Sequence, residues 1–117
     1  PHLVDQGLDW TDPPRRTKVD IKPATLATIA RGLRKVVQEG TGAGLNVPNL
    51  PPAAGKTGTA EDSTGGPDHA WFACFAPYPN GQIVVVAFAQ NTPGGGSVHA
   101  LPMARKVLEV WNQLRKS

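Results

Sequence analysis

The chain has one cysteine, Cys74, so no internal disulfide holds its fold, and cysteine usage does not choose a compartment. Cys74 lies in an apolar run and reads as a small buried hydrophobe. No apolar stretch reaches the roughly 18 residues that a membrane-spanning helix needs, and the N-terminus has no charged-then-apolar signal pattern. Excess charge is also lacking: 12 Lys+Arg against 9 Asp+Glu leave a formal +3. The basic residues are scattered, with Arg31, Arg34 and Lys35 read as the wet face of a helix, which argues against a nucleic-acid stripe. The three histidines, His2, His69 and His99, have no compact ligand spacing, so we expect no metal and no cofactor. The chain starts on Pro1 rather than Met, and we expect a fragment or a processed product.

What is present suits one small domain: 117 residues bury roughly two-thirds of their unfolded surface. Residues 1 to 20 contain a brief apolar start, turn formers and Pro13-Pro14, and read as a short strand and a loop. From Pro23, which suits a first helical turn, Leu26, Ile29, Ala30, Leu33, Val36 and Val37 recur at three- and four-residue spacing until Gly40; this predicts a helix over about 23–39. The segment 40–52 is rich in Gly, Pro and Asn and reads as a loop. A lysine-bearing strand over about 53–60 follows, then a hairpin over about 70–90 that turns at Asn80-Gly81. Both hairpin strands are almost continuously apolar, as expected for a sheet covered on both faces by helices. After the break at 93–96, Leu101, Ala104, Leu108, Trp111 and Arg115 form one stripe, with Val107, Val110 and Leu114 beside it, and predict a helix over about 98–115 with Pro102 near its start. Trp71 and Trp111 are expected in the core, and Trp10 stays open. The fold class is α+β, with an antiparallel sheet of about three strands packed against helices.

The chemistry concentrates in "AAGKTGTAED", residues 53 to 62. A phosphate loop needs G-x-x-x-x-G-K-[ST], but Leu50 stands where the first glycine belongs, and Pro51 and Pro52 remove N–H groups that would face the anion. An extended strand accounts for the residues better. Side chains alternate, so Lys56 and Gly58 point one way and Thr57 and Thr59 the other, while twist at a strand edge can bring both sets to one groove. Gly58 removes a side chain where another backbone or a ligand comes close. Charge, hydroxyls and free N–H groups together suit an anionic peptide-like ligand added along the edge. On these ten residues alone, a surface turn of small residues remains an equal alternative.

"GKTGTAE", then "DHAWFACFAPY", "QIVVVAFAQN" and "GGGSVHALPMARKVLEVW" together resemble the C-terminal part of a penicillin-binding protein transpeptidase domain, most closely the class B penicillin-binding protein 2 group. The resemblance extends to "PHLV" and "RGLRKVVQEGTGAG" and so covers nearly the whole chain. It implies a partial penicillin-binding transpeptidase or serine β-lactamase-like fold. The implied parent is a membrane-anchored serine D,D-transpeptidase at the extracytoplasmic face of the bacterial plasma membrane. It would cross-link peptidoglycan stem peptides ending in D-Ala-D-Ala through an acyl-enzyme, and β-lactams would acylate it.

The family carries S-x-x-K, S-x-N and K-[ST]-G motifs. Only the third is here: Ser63 is followed three residues on by Gly66, Ser97 by Ala100, and Ser117 ends the chain; Ser63-Thr64-Gly65 and Ser97-Val98-His99 lack the asparagine. The chain is therefore expected to be the C-terminal piece of a larger domain and inactive alone, its partner being the rest of that domain. Self-association is a further expectation, since losing a neighbouring sub-structure exposes apolar sheet surface.

By resemblance, Lys56 sets the electrostatics of proton transfer opposite the serine and lysine supplied elsewhere. Thr57 and Thr59 hydroxyls bind the terminal carboxylate, with Gly58 between them, and the Thr59 N–H is one oxyanion-hole donor. Asp68 and His69 are expected to serve a local turn or cap rather than a dyad, and Glu61 to be solvated. The alternatives are a D,D-carboxypeptidase or β-lactamase-related enzyme, and a non-catalytic interaction module of the same fold.

Overall fold

The computed structural model describes residues 15–92 and 95–116. The short strand expected near the N-terminus, as well as Trp10, His2 and Ser117, falls wholly or mostly outside the described residues. Helix α1 runs Pro23–Glu39; proline sits in its first turn, and Lys22 ahead of it is extended and offers no side-chain cap. The helix ends as expected at Gly40, where Val36 O accepts both the Gly40 and the Gly42 N–H, each at 3.0 Å. A single 3₁₀ turn, Ala43–Leu45, then carries the chain between α1 and the C-terminal helix.

Three strands follow: β1 Ala54–Ala60, β2 His69–Ala76 and β3 Ile83–Ala89. They form an antiparallel sheet in the order β1-β2-β3, with Lys56 opposite Ala73, Gly58 opposite Trp71, and Phe72 between Thr57 and Ala87. The architecture is the expected α+β class, with element bounds within a residue or two of expectation except at the last helix. There, Gly96–Ala100 form a wide π-helical turn in which the Leu101 N–H reaches back to Gly96 O, and the regular helix α2 spans Leu101–Lys116. Pro102, with no N–H to give, stands at its second residue, where the loss matters least.

The core lies on one face of the sheet. Ala70, Phe72, Cys74 and Ala76 of β2 and Val85 and Ala87 of β3 pack against Leu101, Ala104 and Leu108 of α2, with Val37 of α1 and Leu45 filling the edge. Two expectations are corrected here. The sheet is not covered on both faces: Val84, Val86, Phe88 and Trp71 are 73%, 60%, 42% and 40% exposed, so Trp71 is no core residue. It packs instead on the open face against Phe88, ring centroids 4.4 Å apart. The buried stripe of α2 also passes through Asn112 rather than Trp111, which is only half-buried; Val107, Val110 and Leu114 are exposed. Asn112 is tolerated because both ends of its amide are used: Nδ2 donates to Asn49 O at 3.1 Å, and Oδ1 accepts from Arg115 Nε at 2.9 Å.

Helix α1 lies beside β1 and is fixed there by a residue expected in water. Arg34 is half-buried, and its Nη1 donates to Ala53 O at 2.7 Å, whereas Arg31 and Lys35 are exposed as expected. The bond ties the helix to the residue immediately before β1.

Candidate functional site

Strand β1 has a strand neighbour on one side only, and α1 is pinned at its start, so the Thr57–Ala60 half has no second strand beside it among the described residues. The register divides its side chains as the alternation predicts. Lys56 and Gly58 share the open face with Ala73 and Trp71; Thr57 and Thr59 share the face of Phe72 and Ala70. Lys56 is exposed, and its Nζ donates to Thr57 O at 3.2 Å, so the ammonium curls back toward the threonine rather than away from it.

The glycines of this strand do different work. A Cβ on Gly55 would stand 2.6 Å from Ala73 O and 2.8 Å from Cys74 Cβ, so that position must stay bare for β1 to lie flat on β2. A Cβ on Gly58 would meet only Trp71 Cβ, at 3.6 Å, an ordinary contact. Within the described residues, a side chain at Gly58 would therefore start without a clash.

A close backbone approach to this strand is made at Gly96. Its position leaves no room for a side chain: a Cβ there would collide with Trp71 O and lie 3.2 Å from both Gly58 N and Thr57 Cβ. Gly95 beside it has φ 74°, a backbone state that favours glycine, and a Cβ on it would stand 3.3 Å from Thr59 Oγ1. The start of the terminal helix region is thus laid directly on the threonine face of the lysine strand.

On that same face Thr57 Oγ1 lies 2.8 Å from Thr41 Oγ1, a hydroxyl pair in which either atom could donate. Thr41 comes from the turn after α1 and was not singled out in the sequence; its only local signal is a threonine set between Gly40 and Gly42.

The loop leaving β1 is organised around Asp62. Its carboxylate accepts from Thr64 Oγ1 at 2.8 Å, Thr64 N at 3.1 Å, Gly66 N at 3.1 Å and Asn91 Nδ2 at 2.8 Å. Bonding led by the Thr64 hydroxyl holds this carboxyl below its ordinary pKa. Asn91, at φ 51° just past β3, also donates through Nδ2 to Pro67 O, and its N–H donates to His69 Nδ1 at 3.0 Å. Thr92 N donates to Asp68 O at 3.0 Å. Asp68 and His69 therefore tie the start of β2 to the chain just past β3, a longer-range role than the local turn or cap expected. Glu61 is exposed. Asn91 is a second residue that the sequence reading missed; its signal is an asparagine where a strand ends, the side chain most tolerant of positive φ.

Cys74 is no candidate nucleophile, because burial pushes its thiol up to about 11 and keeps it protonated at neutral pH. Ser63 and Ser97 are exposed, with no lysine one turn on.

The described residues thus form a three-stranded antiparallel sheet with a helix across one face, whose edge strand β1 carries a lysine and two threonines. The family model for the penicillin-binding protein transpeptidase domain matches residues 1–109, and the chain belongs to that family. It is 37% identical over 107 residues to peptidoglycan D,D-transpeptidase MrdA of Haemophilus influenzae, covering 77% of this chain and 16% of that protein. A solved structure described as structural coordination of polymerization and crosslinking by a peptidoglycan synthase complex superposes with TM-score 0.71 and 38% identity over 86% of this chain and 18% of the matched one. The D,D-transpeptidase domain of a peptidoglycan glycosyltransferase from Eggerthella lenta does so with TM-score 0.63 and 30% identity over 74% of this chain and 19% of that one. The chain thus spans less than a fifth of the length of these relatives.

Proposed function

We propose that the chain supplies the lysine strand of a peptidoglycan D,D-transpeptidase that works through a serine acyl-enzyme and is acylated by β-lactams. The observation that supports this most is the edge strand: Lys56 and the uncrowded Gly58 lie on one face and the Thr57 and Thr59 hydroxyls on the other, in a chain of this family. A stem peptide ending in D-Ala-D-Ala lies along the free edge as an added strand. Its terminal carboxylate takes hydrogen bonds from the two threonine hydroxyls, and the Lys56 charge favours that anion. The Thr59 N–H is one of two oxyanion donors, a contribution of about 10²- to 10³-fold in rate for such a group.

Neither Ser63 nor Ser97 has the residues of a nucleophile motif around it, so the attacking serine and its lysine come from elsewhere in the protein. That serine displaces the terminal D-alanine to form an ester, and an acceptor amine then takes the acyl group and frees the hydroxyl. Like its relatives in peptidoglycan synthesis, the protein acts in the cell envelope, at the extracytoplasmic face of the plasma membrane. The exposed Val84, Val86, Phe88 and Trp71 face is where the rest of the domain packs, and an isolated chain associates through it.

The test uses the full-length protein with a D-Ala-D-Ala stem peptide and an amine acceptor, reading cross-linked amide against hydrolysed acid. Amide is expected to be the main product, and a labelled penicillin is expected to stay bound. Hydrolysis as the main fate of both would overturn transpeptidation in favour of a carboxypeptidase or β-lactamase. A folded protein with no acylation at all would leave a non-catalytic module.

A further inference from the structure

Thr41 enters the site from a part of the chain that no motif marks. Its Oγ1 is 2.8 Å from Thr57 Oγ1, across 16 residues of sequence. The backbone that presents it is firmly held. The N–H groups of Gly40 and Gly42 converge on Val36 O, and Ala43 N donates to Gly40 O at 3.1 Å. Gly42 is buried, and a Cβ on it would stand 3.2 Å from Val36 Cγ1 and 3.3 Å from Val37 Cγ2, so the turn wraps tightly over a valine that is itself in the core. Thr41 therefore sits on a fixed pedestal while its own side chain stays in solvent.

A hydroxyl has one proton to give and two lone pairs to accept with. At this separation one proton lies between the two oxygens, and which residue supplies it is open in the free protein. A carboxylate removes the ambiguity, because it only accepts. If Thr57 is to donate to it, Thr57 must receive its other bond, and Thr41 is the donor in place to give it. The result is a directed chain, Thr41 O–H to Thr57 O–H to carboxylate, in which each bond polarises the next.

We propose that Thr41 is a positioning residue for carboxylate recognition, donating to Thr57 Oγ1 and so committing the Thr57 proton to the ligand. This rests on the carboxylate-binding role of Thr57 proposed above. The same two oxygens would also be joined if Thr41 served only to tether the α1 turn to β1. The two roles differ in what they do to a ligand without a carboxylate.

The experiment measures second-order acylation rates of the full-length protein with a penicillin and with its methyl ester, which lacks the anionic acceptor. In wild type the penicillin reacts faster. Thr41→Val, close to threonine in shape, is expected to lower the penicillin-to-ester rate ratio about fivefold, the effect of one neutral hydrogen bond. Thr41→Ala should give the same drop, and Thr41→Ser, which keeps the hydroxyl, should retain the wild-type ratio. Equal slowing of both reagents by Thr41→Val and Thr41→Ala would mean a tether only and would overturn the proposal, as would an unchanged ratio. Wild type inert to both reagents would bring down the acyl-enzyme reading itself, a result distinct from any change of ratio among variants.

Discussion

Lys56→Met in the full-length protein is expected to lower the rate of acylation by a labelled penicillin about 10²- to 10⁴-fold, the range for removing a group that manages proton transfer. The folded state should barely notice. Lys56 is exposed on the open face of β1, its Nζ bonds its neighbour's carbonyl at 3.2 Å, and methionine keeps the unbranched stem. Substitutions at such a position change stability by no more than about 0.5 kcal/mol in either direction. Loss of activity at unchanged unfolding midpoint would therefore separate chemistry from structure. Lys56→Arg offers a finer reading: it keeps the charge but replaces a compact ammonium with a planar fork that cannot give up its proton, so it should recover ligand affinity without recovering rate. A Lys56→Met protein acylated at the wild-type rate would remove lysine from the mechanism.

Phe72→Ala should have the opposite signature. Phe72 is 0% exposed and, among the described residues, the largest of the fully buried side chains. It sits at the centre of the middle strand, paired across to Thr57 on one side and Ala87 on the other. Truncation removes the ring's transfer free energy and leaves a cavity between sheet and α2, a combined cost of about 3–5 kcal/mol. That is comparable to the whole stability of a marginal domain. Denaturant titration of the transpeptidase domain should show the midpoint fall with the slope unchanged. Phe72→Leu, which refills most of the volume, should return the larger part of the loss. Because Thr57 lies across the ladder from Phe72, acylation should also slow in the alanine variant, but in step with stability rather than ahead of it. A cost below about 1 kcal/mol for Phe72→Ala would mean that the site collapses freely and that the core does not rest on this face.

These two residues illustrate what could and could not be read from the chain. Lys56 was legible because the test was local: counting back to Leu50, Pro51 and Pro52 removes a phosphate loop, and two-residue alternation assigns faces to Lys56 and Thr57. The helix over 23–39 was legible for the same reason, with proline at its start and Gly40 at its end. The burial of β2 and β3 was not. Their outward positions carry Trp71, Phe75, Val84, Val86 and Phe88, as apolar as the inward ones, so no alternation in hydrophobicity marks the alternation in burial. The inference of two covered faces followed from that composition, whereas the described residues cover only one.

Arg34 and Asn112 fail by another route. Each is a polar residue at a helical position whose partner, Ala53 O or Asn49 O, lies in a loop far away in sequence, and periodicity carries no information about such a partner. The Asp62–Asn91 knot and the Thr41–Thr57 pair are likewise tertiary contacts, across 29 and 16 residues. The motif strand was visible in the sequence, but the residues that hold its hydroxyls and its exit loop become visible only once the loops are folded onto it.

The central claim is that residues 1–117 bind and polarise while the nucleophile lies elsewhere in the same protein. Peptide mapping of the adduct that the full-length protein forms with a labelled penicillin tests this most directly. The label is predicted on a serine-bearing peptide outside residues 1–117, with none on Ser63, Ser97 or Ser117, and the chain on its own is predicted to take up no label. Label on any of those three serines would contradict the account.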